Sequence, residues 1–266
     1  MKKPNIITLL TDFGYGDPYV AAMKGVIYTI NPHVNIIDIT HNVPPHNIRA
    51  GAIILWSTYK YFPKGTIHLV VVDPGVGTKR KPIVIYSKNY IFIGPDNGVL
   101  TLAANEDGIE KTYEIISNTK YLKREISFTF HGRDIFAPIA AYISRGVSIN
   151  ELAKETSLTF SLNIPKYTIK NSQIIGEIIY IDHFGNLITN IPKGIAEKIL
   201  AFYRNYEVNI KNKVISAKFV KAYGNAKEGE PLLIINSFNL LELSINLGNA
   251  AQRYAANVGD KIIIKY

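Results

Sequence analysis

The sequence predicts a two-domain α/β protein: an N-terminal α/β domain with a mostly parallel central sheet, then a smaller, mostly β C-terminal domain. Three observations lead there. Over residues 1–165, short apolar runs alternate with stretches of helical periodicity, the signature of strand–helix–strand units. Runs such as Leu69-Val70-Val71-Val72 lack polar alternation, as suits strands covered on both faces. Over residues 173–266 the texture becomes short β-type runs separated by Asn, Lys and Gly.

Asn5 to Leu10 reads as a buried strand, followed by the loop Thr11-Asp12-Phe13-Gly14-Tyr15-Gly16. Asp17-Pro18 looks like an N-cap with proline at the first helical position. Val20, Met23, Ile27 and Ile30 then recur at helical spacing until Asn31-Pro32. Val34 to Ile39 is the next strand, and Ile48, Ala52, Leu55 and Tyr59 define one face of a helix from His46 to Tyr61. Ile67 to Val72 forms a third strand, Ile83–Tyr86 and Tyr90–Ile93 a hairpin pair, and a third helix should run from near Arg133 to before Gly146. Thr156 to Ser172, which carries no period, is the expected linker. Beyond it, strands are expected at Ile174–Ile181, Tyr206–Ile210, Val214–Val220, Leu232–Ile235 and Lys261–Lys265, with one helix at Ala196–Phe202. Such a domain is a barrel or a sandwich.

With 266 residues, 47% of them apolar and 19% charged, the chain can bury a substantial core. Thirty Lys and Arg against 21 Asp and Glu give a net charge of +9. The basic residues are scattered apart from Lys79-Arg80-Lys81, which favours general solubility over a nucleic-acid partner. The absence of Cys excludes disulfides, thiolate metal sites and Cys nucleophiles. The apolar run from Ile6 meets Asp12 too early for a signal peptide, and no run approaches the roughly eighteen residues of a membrane span. A soluble, cytoplasmic protein without membrane partners is expected.

Asp12, Asp73 and Asp182 immediately follow predicted strands, and Asp38 sits inside the end of another. Ligands of open α/β sheets bind beyond the carboxyl ends of the strands, so these positions are site candidates, although Asp and Gly also simply make turns. Asp12-Phe13-Gly14 matches the kinase magnesium motif but lacks the preceding glycine-rich and catalytic loops. Gly75-Val76-Gly77-Thr78-Lys79-Arg80 lacks P-loop spacing, and Gly-x-Gly-x-x-Gly is absent. Gly94-Pro95-Asp96-Asn97-Gly98 serves equally as a turn or as support for a site. Six His residues include His41 and His46, but no His-x-x-x-His or His-Glu-x-x-His pattern occurs. His131 stands out because Phe130-His131-Gly132-Arg133-Asp134 opens a helix, where amide donors favour anions.

Taken in order, Leu10-Thr11-Asp12-Phe13-Gly14, Ile37-Asp38-Ile39-Thr40-His41, Val72-Asp73-Pro74-Gly75-Val76-Gly77, Gly94–Gly98, Phe130–Asp134, Asp182-His183-Phe184-Gly185-Asn186 and Asn236-Ser237 resemble the SAM hydroxide adenosyltransferases. These are relatives of the SAM-dependent fluorinases and chlorinases. The resemblance spans about residues 6–264. It implies a β-barrel for the C-terminal domain and a homotrimer with sites between neighbouring subunits. It also implies hydrolysis of S-adenosylmethionine (SAM) to adenosine and methionine without metal or cofactor. By the same resemblance Asp73, Arg80 and His131 form the catalytic triad, and Asp12 binds both ribose hydroxyls. Asp17 and Asp182 lie near the methionine part, Asn186 reads adenine, Ser237 contacts methionine, and Tyr223 stacks on adenine.

These residue types suit the chemistry. The sulfonium leaves as neutral methionine, so neither a general acid nor a metal is needed on that side. Water is the weak partner, and it must be held in line with sulfur at C5′ and made hydroxide-like. Positioning can supply about 7–11 kcal/mol and general-base help roughly 100- to 10,000-fold. Asp73 can accept a hydrogen bond from that water, with Arg80 fixing the carboxylate's direction. Arg80 and a protonated His131 are then expected to stabilise forming hydroxide. A carboxylate matches the two donors of the ribose diol at Asp12. The alternatives are a SAM-dependent halogenase and a non-catalytic SAM- or adenosine-binding protein. Against the first, Asp73 would repel halide and Gly132 rather than Ser follows His131. Against the second, binding alone leaves the triad without a purpose.

Overall fold

The computed structural model describes residues 5–122 and 125–266. They divide into two compact units, the first ending at Asn163 and the second beginning at Ile164.

In the first unit the strands β1 (Ile6–Thr11), β2 (Asn35–Thr40), β3 (Ile67–Val71), β4 (Pro82–Ser87), β5 (Ile91–Pro95), β6 (Ile109–Ile115) and β7 (Ala153–Glu155) form one sheet. Its order is β2-β1-β3-β5-β4-β6-β7. The four strands β2-β1-β3-β5 are mutually parallel, and β4, β6 and β7 extend them antiparallel. The apolar runs are the parallel core: every residue of β3 and β5 is buried. The helices are α1 (Tyr19–Ile30), α2 (Ile48–Thr58), α3 (Thr101–Asp107), α4 (Ala137–Ser144) and α5 (Ile149–Leu152). Helix α1 buries Val20, Met23 and Ile27, three of the four positions the spacing singles out. Met23 and Ile27 join Ile7, Leu9, Leu69 and Phe136 in the core.

Several boundaries differ from expectation for local reasons. Pro18, not Asp17, holds the cap position of α1, with no side-chain cap. Asn47 caps α2 by accepting from the Ala50 N–H at 2.9 Å, and a 3₁₀ turn carries the helix on to Tyr61. The helix after His131 begins as a π turn over Gly132–Phe136 before α4, a distortion frequent at functional sites.

The second unit contains β8 (Thr168–Lys170), β9 (Gln173–Ile181), β10 (Leu187–Pro192), α6 (Lys193–Ile199), β11 (Asn205–Ile210), β12 (Lys213–Val220), β13 (Pro231–Ile235), β14 (Leu240–Ile245), α7 (Ala250–Tyr254) and β15 (Lys261–Lys265). The order β10-β14-β13-β12-β11-β15-β9 closes on itself through β9–β10 pairing. The choice between barrel and sandwich is therefore settled as a seven-stranded barrel, with β8 added outside β9. Closure removes exposed edges from the ring. The expected linker is not free chain. Thr159 and Phe160 donate their N–H groups to Asp96 and Leu162 donates to Thr101 Oγ1, whereas Pro165 accepts from Asn190 and β8 belongs to the barrel.

Candidate active site

Strands β1 and β3 are parallel neighbours, with Leu10 opposite Val70 and Thr11 opposite Val71. Their carboxyl ends thus emerge side by side, which places Asp12 and Asp73 on one edge of the sheet. Both line a cavity of about 280 Å³, together with Phe13, Tyr19, His46, Phe130 and His131.

The loop after β3 folds back so that Arg80 meets Asp73. Val76 N donates to Asp73 O at 3.2 Å and Thr78 Oγ1 donates to Gly75 O at 2.7 Å. Gly77 completes the turn at φ +76°, where a Cβ would lie 2.4 Å from the Phe128 carbonyl oxygen; only glycine fits both demands. Behind the loop, Asn97 Nδ2 donates to Val72 O at 2.9 Å and Asp96 is buried against residues 159–160. The Gly94–Gly98 motif is thus both a turn and a support for the Asp73 loop.

Arg80 grips Asp73 as a fork: Nε donates to Oδ1 at 2.9 Å, and Nη2 donates to Oδ2. Both side chains are over 90% buried, and the guanidinium lies 5.2 Å from the Phe136 ring centroid. Arg80 Nη2 is also 3.0 Å from His131 Nδ1. A guanidinium has donors only, so His131 Nδ1 is the acceptor and the ring proton sits on Nε2. Burial, and after it the Arg80 charge, push the His131 pKa below its ordinary 6.5. Both effects disfavour a protonated His131, because an imidazolium here would present an N–H to a guanidinium.

Asp12 follows β1 and accepts from the His46 backbone N–H at 2.8 Å. The loop it begins is held from below. Thr11 Oγ1 is 2.8 Å from buried His41 Nδ1, His41 Nε2 is 3.1 Å from Asp38 Oδ1, and Asp38 Oδ2 accepts from Lys24 and Tyr15. Gly14 N donates to His41 O at 2.7 Å. His41 and Asp38 therefore act as scaffolding for the Asp12 loop. Among the described residues no group of three His, Cys, Asp or Glu could hold a metal ion, and no helix is long and apolar enough to cross a membrane. Asp17 is exposed and does not line this cavity.

In the second unit Asp182 and Asn186 frame the β9–β10 turn. Asp182 Oδ1 accepts from Phe184 N and Asn186 N, and Oδ2 accepts from Asn186 Nδ2 at 2.9 Å. Ser237 is exposed in the turn between β13 and β14. Tyr223 shows 41% of its surface while its hydroxyl donates to Glu242 Oε1 at 2.8 Å. Glu242 is buried and also accepts from Ser244 at 2.6 Å; burial raises its pKa. Sequence reasoning passed over Glu242, although a lone Glu in Leu240-Leu241-Glu242-Leu243 is the visible signal of a buried polar position. It likewise passed over Phe13, Tyr19 and Phe130 as cavity walls.

Comparison with known proteins covers both units. The family model "SAM hydroxide adenosyltransferase N-terminal domain" matches residues 7–153, and the corresponding C-terminal domain matches residues 176–263. The chain is 38% identical over 274 residues to an (R)-S-adenosyl-L-methionine hydrolase of Methanocaldococcus jannaschii, covering 98% of this chain and 96% of that one. It is 34% identical to a protein of the same name from Salinispora tropica, with 96% of each chain covered. A fluorinase from an Actinoplanes species is 30% identical, covering 96% of this chain and 95% of the relative. Among solved structures, an uncharacterized conserved protein from Thermotoga maritima superposes with a TM-score of 0.93 at 41% identity, covering 98% of this chain and all of that one.

Proposed function

The chain belongs to the SAM hydroxide adenosyltransferase family, and we infer that it hydrolyses S-adenosyl-L-methionine to adenosine and L-methionine. The observation that carries this reading is the hydrogen-bonded Asp73–Arg80–His131 chain, whose Asp73 and His131 line a cavity that Asp12 also lines.

In this reading Asp12 takes the two ribose hydroxyls and presents C5′ to the triad. One water donates a hydrogen bond to Asp73 and accepts one from His131 Nε2–H, which leaves a lone pair for C5′. As the oxygen–C5′ bond forms, the C5′–sulfur bond breaks and its electron pair neutralises the sulfonium. The proton lost from water passes through Asp73 to solvent. Fixed donors that need no reorganisation are worth most in a dry site. No metal or other cofactor enters these steps. Asp17, Asp182 and Ser237 are assigned to the methionine part, and Asn186 and Tyr223 to adenine. We also assign the chain to the cytoplasm, as a homotrimer in which the second unit of one subunit completes the site on the first unit of its neighbour; mass measurement by light scattering tests the trimer.

Halogenation is the nearest alternative, given the fluorinase relatives. The hydrolase relatives at up to 38% identity and the carboxylate of Asp73 beside the cavity favour water over halide as nucleophile. Incubation with SAM followed by chromatography tests the reading: adenosine and methionine in equal amounts support it, and intact SAM refutes it.

A further inference from the structure

The cavity holds an aromatic cluster that neither the triad nor Asp12 explains. Phe13, Tyr19 and Phe130 all line it. Their rings touch pairwise, with centroids 5.6 Å apart for Phe13–Tyr19, 5.9 Å for Phe13–Phe130 and 5.2 Å for Tyr19–Phe130. The last two pairs meet edge to face, so the cluster turns ring faces in more than one direction. It is anchored beside the catalytic histidine: a Cβ on Gly132 would come within 3.3 Å of Phe130 Cε2 and 3.5 Å of Phe13 Cε2. Tyr19, the first residue of α1, is still 44% exposed. One member already attracts a cation, since the Arg133 guanidinium lies 5.0 Å from the Phe130 centroid while forked onto Asp134.

We propose that Phe13 and Tyr19, backed by Phe130, form a cation–π subsite that takes the substrate's sulfonium and so distinguishes it from neutral thioethers. The proposal rests on the reading of this cavity as the SAM site. A cation within about 6 Å of an aromatic face is attracted by the ring quadrupole, and sulfur is the one positive centre that must lie within a bond of C5′. The subsite also favours turnover. Product methionine is neutral at sulfur, so the attraction ends when the C5′–sulfur bond breaks.

The test uses two stable ligands that differ in charge at this position. S-adenosylhomocysteine has a neutral sulfur, and sinefungin carries an ammonium-bearing carbon in its place. Dissociation constants for both, and for adenosine, are measured on the wild type, Tyr19→Leu, Phe13→Leu and Tyr19→Phe. The expected wild-type preference for sinefungin is roughly 2- to 30-fold. Either leucine variant keeps apolar bulk and should weaken sinefungin about three- to tenfold, with S-adenosylhomocysteine and adenosine moving less than about twofold; Tyr19→Phe should keep the preference. Equal weakening of both ligands, or no weakening of sinefungin, overturns the subsite. Release of adenosine from SAM by the wild type is scored separately, so a failed hydrolase reading and a failed subsite give different results.

Discussion

Arg80 Nη2 stands 3.0 Å from His131 Nδ1, and because arginine can only donate, Nδ1 is the acceptor of the contact. The same guanidinium holds both oxygens of Asp73. One residue therefore fixes the positions of both Asp73 and His131.

Chemistry and binding should separate by mutation. Asp73→Ala or His131→Ala is expected to lower turnover at least about tenfold with little change in adenosine affinity. Asp12→Ala should instead weaken adenosine binding, because it removes a charge-assisted partner of the diol. Isothermal titration with adenosine alongside turnover assays checks both. Equal loss of adenosine affinity in Asp73→Ala and Asp12→Ala would contradict the division of roles.

The pH profile should carry an acid limb with a fixed sign. Burial and Arg80 lower the His131 pKa, so the neutral ring persists below pH 6.5 and activity falls only as pH drops through the lowered value. Removing the Arg80 charge with Arg80→Gln should move the His131 titration to higher pH. Proton-detected titration of the imidazole checks this, and an unchanged or lower midpoint would refute the assigned contact.

His68 makes a stability prediction. Its ring is fully buried, stacked on Phe92 at 5.2 Å with Thr8 Oγ1 2.8 Å from Nδ1, and burial pushes its pKa down to about 3. A histidine held neutral in the fold and protonated at 6.5 when unfolded contributes fully above pH 6.5. Between pH 6.5 and 3 the unfolded chain binds the extra proton, and stability falls by about 1.4 kcal/mol per pH unit. His41, also lowered chiefly by burial, acts in the same direction. Denaturant midpoints at pH 7 and pH 4 should therefore diverge less in His68→Phe than in the wild type; identical divergence would count against this account.

What the sequence conveyed follows from the range of the forces involved. Strand β3 and the Asp73 loop were legible because a continuous apolar run followed by Asp-Pro-Gly is a local signal. Asp12, Asp73 and His131 lie in the ordered motifs and Arg80 came from the family resemblance, and the sheet topology gives the reason Asp12 and Asp73 converge. Strand β14 is a different case: Leu241-Glu242-Leu243-Ser244-Ile245 alternates apolar and polar residues as an exposed strand does, yet all six residues of the strand are buried, and its polar side chains satisfy one another inside the domain. The lowered pKa of His131 was not legible at all. It depends on burial and on a contact spanning residues 80 and 131, which no local pattern encodes. Residues 156–172 looked like a linker because they bond through backbone N–H and C=O groups to Asp96, Thr101 and Asn190, and backbone bonding leaves no side-chain period.

The central claim is that a water held by Asp73 and His131 attacks C5′ and becomes the 5′ hydroxyl of adenosine. Turnover of SAM in water enriched in heavy oxygen, followed by mass spectrometry of the isolated adenosine, tests it directly. One heavy oxygen per adenosine, retained in the fragment containing the 5′ carbon, is the predicted result. Adenosine formed without the label, or no adenosine formed, would contradict the account.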